Sequence, residues 1–527
     1  MAKEKRVEFC GRSLSDPARQ VNIVYPDEFP SLPPVSISPV LFADGEAHLI
    51  RHHDRATDIL CTFGTNQVRW NADQDGGKAI VEANDVIGSF SPGKPRVDGD
   101  DAPEPLTADL RCDAKYGVII PHEIARKAAI GDSEKTYEIR LRFRTDFFEV
   151  GNARIEYVRG VIRQIVGEVD VSTQYNKWPL RYSDQEDGIL VCLPSLPIHP
   201  HDVARFNEWL NKYRGKKPKG WIVFTTYGLP HEEADRRQQW FCVRFPNKRE
   251  YTVVRAFPLL TENRFLRTPR MEVLSEKKIA VVGCGSLGSK IAVNLAATGT
   301  NHFALLDPDV MGPENVVRHE VGYSGYGLPK ILALRQRIYD VNQGTHGKVY
   351  ALPYAFGAAN VLVAVASVHQ YLHDSDLVVD AAGVHGISRF LNDLCFDFGV
   401  PVITTTVTNG AWGGEIVRMI PGETACWLCW LAQYESQEPS TEPRPAPGIY
   451  TPGCNQPTFT GTTYEVGMVA NLASWMAVET LLRKEPDRRD FRGDYIRWNA
   501  RDATGNPLVN AEILPISKRD HCPWCNP

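Results

Sequence analysis

Six residues, Gly283-Cys-Gly-Ser-Leu-Gly288, constrain this 527-residue chain more than any other stretch. They follow Lys277-Lys-Ile-Ala-Val-Val282, an apolar run that reads as a buried strand. They lead into Ser286 to Ala297, where Leu287, Ile291 and Leu295 fall on one helical face. A glycine loop between strand and helix lets the backbone approach phosphate, and the unpaired N–H groups and dipole of the helix N-terminus favour an anion. Asp307 closes the next strand run, Phe303-Ala-Leu-Leu306, and stands 24 residues after Gly283, a position suited to binding ribose hydroxyls. Further strand runs at Asp376-Leu-Val-Val379 and Pro401-Val-Ile-Thr404 alternate with helices, so an α/β fold with a mostly parallel, Rossmann-like sheet is expected. On these features alone the loop reads as an NAD site.

The residues after Asp307 change that reading. Asp307-Pro-Asp309 is followed by Asn315, Arg318 and, after Gly327-Leu-Pro, Lys330. A dinucleotide dehydrogenase has no need of this constellation, whereas formation of an acyl-adenylate requires negative charge to be stabilised on the transferring phosphorus. Here residues 275–527 closely resemble the ubiquitin-activating superfamily, including the bacterial activators of sulfur-carrier proteins. Glycine loop, Asp-x-Asp, Asn-x-x-Arg and Lys match in order and spacing. The resemblance implies an ATP site of Gly283, Gly285, Gly288, Asp307, Asp309, Asn315, Arg318, Lys330 and Asp380, with Asp307 on the ribose and Asn315, Arg318 and Lys330 on the phosphates. It implies Mg2+ near Asp380 or Asp309, because Gly383 stands where the family usually has a second acid. It also implies a homodimer through the activating domain, with an arginine supplied in trans from among Arg264, Arg267 and Arg270.

The chain has twelve cysteines, and four fall in two C-x-x-C pairs, Cys426/Cys429 and Cys522/Cys525. Four thiolates in this spacing match a closed tetrahedral Zn2+ site, and the same family carries one. Cys454, in Ile449-Tyr-Thr-Pro-Gly-Cys454-Asn-Gln-Pro, lies in a polar, turn-rich stretch ahead of a helix. A thiolate there can attack an adenylate, and thioester-forming members of the superfamily carry their catalytic cysteine in this crossover loop. Cys284 and Cys395 read as structural.

A second resemblance covers residues 8–95. Tyr25-Pro-Asp-Glu-Phe-Pro-Ser-Leu-Pro-Pro34 is followed by Arg51-His52-His53-Asp54, Ile59-Leu60-Cys61 and Trp70. This resembles the ubiquitin-conjugating fold and implies that Cys61 is an acceptor thiol, with His52 or His53 as the oxyanion donor in place of the family's His-Pro-Asn. Together the resemblances imply a fused activating and conjugating enzyme. It would adenylate the C-terminal carboxylate of a ubiquitin-like protein or similar tail, capture it on Cys454, and pass it through Cys61 to an amine on a protein target. Bacterial antiviral operons are the implied setting. Sulfur-carrier activation without conjugation and an inactive nucleotide-binding scaffold are the competing readings.

The expected partition is a conjugating-like α+β domain at 1–95, a Pro/Gly/Asp-rich linker at 96–107, a middle α/β scaffold at 108–265 and the activating domain at 266–527. In the middle region, Gly117–Ile120, Gly188–Leu193 and Gly220–Thr225 are strand runs and 202–214 is amphipathic, with no catalytic motif. A net charge of −5, 43% apolar content and the lack of a long apolar run or signal-like start lead us to expect a cytoplasmic protein with no nucleic-acid or membrane partner.

Overall fold

A computed structural model of the chain describes residues 8–12, 20–25, 35–37, 41–43, 46–48, 53–54, 59–60, parts of 78–87, 113–150, 153–172, 184–198, 203–214, 220–227, 238–245, 251–259, 265, 268, 270–356, 365–437, 439–442, 460–486 and 490–526. The chain divides into two units, Met1–Leu260 and Thr261–Pro527. Among the described residues no helix is long and apolar enough to cross a membrane.

In the first unit, Glu8–Arg12, Gln20–Val24 and Val35–Ile37 pair antiparallel in chain order, and Ile59–Leu60 and His53–Asp54 complete a five-stranded sheet. Strand alternation buries Val21 and Ile23, which cluster with Ala79, Ala83 and Ile87, spaced by four residues as one face of a helix requires. His53 lies opposite Leu60 in the register.

Leu41–Ala43 and Glu46–His48 form a separate hairpin, and the unit's larger sheet is mixed and contains all three strand runs expected for the middle region. Asp113–Ile120, Lys135–Val150, Ala153–Ile165, Asp184–Leu193, Gly220–Thr226, Gln239–Phe245 and Thr252–Pro258 close into a ring. The ring closes because Lys135–Val150 pairs with Asp184–Leu193 on one side and Ala153–Ile165 on the other. Closure satisfies backbone groups that open edges would leave unpaired. One face of the strands carries Leu141, Phe143, Trp221 and Cys242, with the Phe143 and Trp221 rings stacked at 4.5 Å. The other carries Phe224, Phe241 and Val243, covered by Phe206 and Leu210 of the helix Val203–Arg214.

The second unit is a doubly wound α/β fold. Its strands are β1 (Lys278–Val282), β2 (His302–Leu306), β3 (Val349–Leu352), β4 (Leu377–Asp380), β5 (Val402–Val407), β6 (Gly413–Met419), β7 (Tyr495–Arg501) and β8 (Pro507–Leu514). Its helices are α1 (Ser286–Thr298), α2 (Lys330–Val341), α3 (Val365–His373), α4 (His385–Phe398), α5 (Trp427–Tyr434) and α6 (Thr463–Leu482). The sheet order is β3-β2-β1-β4-β5-β6-β7-β8. The first five strands are parallel, and β6 to β8 are added antiparallel. Side chains on the central strands alternate between two cores. Ile279, Val281, Phe303 and Leu305 pack under α1, α2 and α6, while Ala280, Val282, Leu306 and Val378 pack under α3, α4 and α5. Each buried leucine- or isoleucine-sized side chain contributes about 1.5–3 kcal/mol. Helix α6 is apolar on nearly all sides, as a helix inside a core must be. Its first turn is fixed by a capping box between Thr462 and Glu465.

The chain leaves β1 toward β2 and β3, then returns to place β4 on the other side of β1, so the strand order reverses between β1 and β4. Crevices at such points bind ligands in open α/β sheets. The glycine loop sits there. Gly283 has φ +83°, and a Cβ on it would lie 2.7 Å from the Ala382 nitrogen. A Cβ on Gly288 would lie 1.9 Å from the Gly283 carbonyl oxygen. Because that obstacle is backbone, Gly288→Ala should destabilise the unit by about 2–3 kcal/mol, read as a lowered denaturant midpoint. An unchanged midpoint would show that the loop reshapes freely.

Candidate functional site

The glycine loop is held from both sides of one residue. The Cys284 N–H donates to Asp307 Oδ2 at 2.7 Å, and the Cys284 carbonyl accepts from His319 Nε2 at 2.9 Å. Asp307, at the end of β2 and only 6% exposed, also accepts the Asp309 N–H on its other oxygen at 2.8 Å. Burial raises its pKa, opposed by the positive charge of Lys330 and by the two backbone N–H bonds. The Asp309 carboxylate pairs with Lys330 Nζ at 2.7 Å, and the Asp309 carbonyl accepts the Lys330 N–H at 2.9 Å.

The turn between β2 and α2 is built around Asn315. Its Oδ1 accepts the Gly312 N–H at 2.9 Å, and its carbonyl accepts the N–H groups of Arg318 and His319 at 3.0 and 2.9 Å. The half-buried Arg318 guanidinium has its pKa lowered by burial. His319 is buried, with its Nδ1 accepting the Val321 N–H at 3.0 Å. Donation at one nitrogen and acceptance at the other define a neutral ring, and burial pushes its pKa down to about 4. Glycine loop, Asp307, Asp309, Asn315, Arg318 and Lys330 therefore belong to one hydrogen-bonded assembly, whose seventh member, His319, sequence reasoning missed. A lone histidine after an arginine carries no signal of its own.

Lys330 is the first residue of α2, where the helix dipole disfavours a cation. Its side chain is 12% exposed, against 62% for Asp309. The positive charge is thus held near its partner and away from bulk water. The N-terminus of α1 begins at Gly285 with no side-chain cap. A Cβ on Gly285 would meet nothing within 4 Å, so the loop is open there to an incoming group.

Asp380 ends β4 directly beside Val282 in the register and is fully buried. Ser388 Oγ donates to its Oδ2 at 2.6 Å, Thr404 Oγ1 donates to the same oxygen at 3.3 Å, and the Ala382 N–H donates to Oδ1 at 3.2 Å. Burial raises its pKa. Of the two acids expected near magnesium, Asp309 presents an exposed carboxylate and Asp380 a buried, hydrogen-bonded one. Gly383 adopts φ +67°, a conformation that side chains rarely take. Arg270 is exposed, also with positive φ. Arg264 and Arg267 lie outside the described residues, as do Cys454, Cys61 and His52.

Residues 260–521 match the ThiF family. This part of the chain is a ThiF-type domain. Among relatives, the chain is 31% identical over 249 residues to an uncharacterized Sinorhizobium fredii protein, y4qC, covering 44% of this chain and 42% of that one. It is 28% identical over 253 residues to the SAMP-activating enzyme E1 of Haloferax volcanii, covering 48% and 81%. It is 31% identical over 182 residues to the ATP-dependent ubiquitin transferase-like protein Cap2 of Vibrio cholerae, covering 33% and 29%. The match to y4qC thus spans less than half the length of that relative.

The ThiF-type domain also gathers the four cysteines. Cys426, Cys429, Cys522 and Cys525 place their sulfurs within 4.8 Å of one another, with 3.4 Å between Cys426 and Cys522 and 3.8 Å between Cys429 and Cys525. The backbone N–H groups of Cys426 and Arg519 point at the sulfurs of Cys525 and Cys429, at 3.2 and 3.3 Å. Converging sulfurs with N–H donors behind them suit thiolates, so the set fits a tetrahedral metal, which would tie the 522–525 turn to α5. Cys284 and Cys395 are fully buried, and burial raises both thiols, so neither offers a thiolate. Elemental analysis should find one zinc per chain. Cys522→Ser should lower the melting temperature by about 5 °C or more, the shift that about 2 kcal/mol produces in a unit of this size. Metal-free protein of undiminished stability would remove the metal from the site.

Proposed function

We propose that the ThiF-type domain uses ATP to adenylate the C-terminal carboxylate of a ubiquitin-like protein or similar tail. The observation that carries this reading is the chain of contacts from Lys330 through Asp309 and Asp307 to the glycine loop, which joins a cation to an anion-binding backbone at the switch point of the sheet. In this reading Asp307 binds the ribose, while the glycine loop, Asn315, Arg318 and Lys330 take the phosphates. A carboxylate oxygen of the tail attacks the α-phosphorus, the bond to the β-phosphate oxygen breaks, and pyrophosphate leaves. Mg2+ at Asp309 or Asp380 would neutralise phosphate charge. The names of two relatives, an E1 enzyme and a ubiquitin transferase-like protein, support a substrate of this class.

The reading continues through two thiols. The Cys454 thiolate attacks the acyl carbon and expels AMP, giving a thioester. The Cys61 thiolate takes the acyl group by exchange, and an amine of the target attacks that thioester, losing a proton as an amide forms. Placing donor and acceptor in one chain raises the effective concentration of one for the other. A homodimer through the ThiF-type domain completes the reading, with an arginine supplied by the second copy.

Two experiments test this. Lys330→Ala should reduce ATP–pyrophosphate exchange by about 100-fold, the loss expected for one donor to developing charge. Undiminished exchange in a folded variant would remove Lys330 from the site. With the cognate ubiquitin-like protein, Cys454→Ala should keep exchange and form no thioester, while Cys61→Ala should keep both exchange and a thioester but yield no conjugate. A normally charged Cys61 in Cys454→Ala, seen on a non-reducing gel, would mean direct transfer from the adenylate.

A further inference from the structure

The 315–321 segment carries Asn315 and Arg318, yet nothing in its own turn fixes it against the glycine loop. Its internal bonds, from Gly312, Arg318 and His319 to Asn315, shape the turn without tying it to the loop. Val321 packs with Met311 and Ala333, and three polar contacts join the segment to α1 and the glycine loop. Lys290 of α1 pairs with Glu320 at 2.8 Å, and Ser289 Oγ accepts the Glu320 N–H at 3.4 Å. The third is the His319 ring, the only one of the three side chains to reach the loop backbone itself.

We infer that His319 is a positioning residue that latches the Asn315/Arg318 segment to the Cys284 carbonyl and so aligns Arg318 with the reacting phosphorus; this rests on the adenylation reading. The ring spans two backbone groups, donating to the loop through Nε2 and accepting the Val321 N–H through Nδ1. Only the neutral Nε2–H form can do both, since a protonated ring would aim a donor at the Val321 N–H. The buried surroundings hold the ring in that form. Asp307 grips the same residue, Cys284, by its N–H. The two grips have different consequences. Losing the latch leaves the loop on Asp307, still shaped to receive phosphate, while the segment that carries Arg318 stays tied to α1 through Glu320 but loses its tie to the loop backbone. The cost falls more heavily on the chemical step, where charge builds on the phosphorus, than on ground-state binding, which the loop, Asp307 and Lys330 retain.

The test compares full-length wild type, His319→Leu and His319→Gln, with ATP binding measured by calorimetry and kcat and KM by ATP–pyrophosphate exchange. Glutamine carries a donor and an acceptor on one short planar group and can make both bonds. His319→Leu should lower kcat tenfold or more, about 1.4 kcal/mol of barrier, with the Kd for ATP changed by less than threefold. His319→Gln should recover kcat to within threefold of wild type. Equal kcat in wild type and His319→Leu overturns the inference, and so does a folded His319→Gln as impaired as the leucine variant. A second measurement is independent of catalysis and of how His319→Leu folds: 15N spectra of histidine-labelled wild type at pH 7 should show His319 protonated at Nε2 only. A charged ring or an Nδ1–H tautomer overturns the latch. Wild type that exchanges no pyrophosphate fails the adenylation reading instead, and the alignment of Arg318 falls with it.

Discussion

The ThiF-type domain depends first on the Asp307 carboxylate. It is buried, and it meets the cost of burial by accepting one backbone N–H from the glycine loop and one from the turn that follows β2. Hydrogen bonds to a charged acceptor contribute about 1.5–3 kcal/mol each, and a carboxylate that lost them would be an unpaired buried charge. One side chain thereby sets the spacing between the loop and the Asp309–Lys330 pair. A carboxylate has about four acceptor positions. Two are taken here, so hydroxyl donors can still be accepted without dismantling the loop. The structural role of Asp307 and the ribose-binding role proposed for it are compatible for that reason.

The four-cysteine cluster is remote from the glycine loop in sequence, but one helix serves both. Trp427, between Cys426 and Cys429, donates its backbone N–H to Asn392 Oδ1 at 2.9 Å, and its ring meets that of His385 edge-on at 5.7 Å. Asn392 and His385 are on α4. One turn before Asn392 on the same helix, Ser388 donates to Asp380. Both Ser388 and Asn392 are buried, so neither has water as an alternative partner. The position of α4 is thus specified by the cysteine turn, through His385 and Asn392, and between those two residues by the carboxylate that ends β4, through Ser388. Interiors packed this closely transmit displacement and do not absorb it.

How much of this was legible in the sequence follows from which interactions are local. The strands at 278–282, 302–306, 377–380 and 402–407 and the helix at 286–298 were readable because runs and periodicity are properties of neighbouring residues. The two C-x-x-C pairs were readable because ligand spacing is local even where the site is not. The antiparallel strands β6 to β8 escaped notice, as did the ring closure of the middle sheet, which depends on Lys135–Val150 finding partners on both sides. Such pairing is decided by register between distant segments, which composition does not encode. His319, Ser388 and Thr404 were missed for the same reason. Each acquires its role from an atom at least eight residues away, in the loop or at the end of β4. The two proposed thiols, Cys454 and Cys61, lie outside the described residues and rest on the sequence reading.

The three loop glycines are required for different reasons. Gly283 is required by its positive φ and by the backbone of Ala381 and Ala382 against it, and Gly288 by the Gly283 carbonyl. Any protein that made this turn, ligand or none, would need both. Gly285 is different. A Cβ there would touch no protein atom within 4 Å, so packing does not require glycine, but its φ of −80° and ψ of −145° lie outside the regions that other residues favour. A group arriving against the uncapped N-terminus of α1 would add a second reason, since a methyl would stand between it and the backbone N–H groups. The cation at the start of α2 makes the same point from the other side. Lys330 sits where its helix dipole is unfavourable, and the Asp309 pair offsets that cost at one oxygen only. An open glycine beside an uncapped helix N-terminus and a lysine at the unfavourable end of its helix are both features that the proposed phosphate would use.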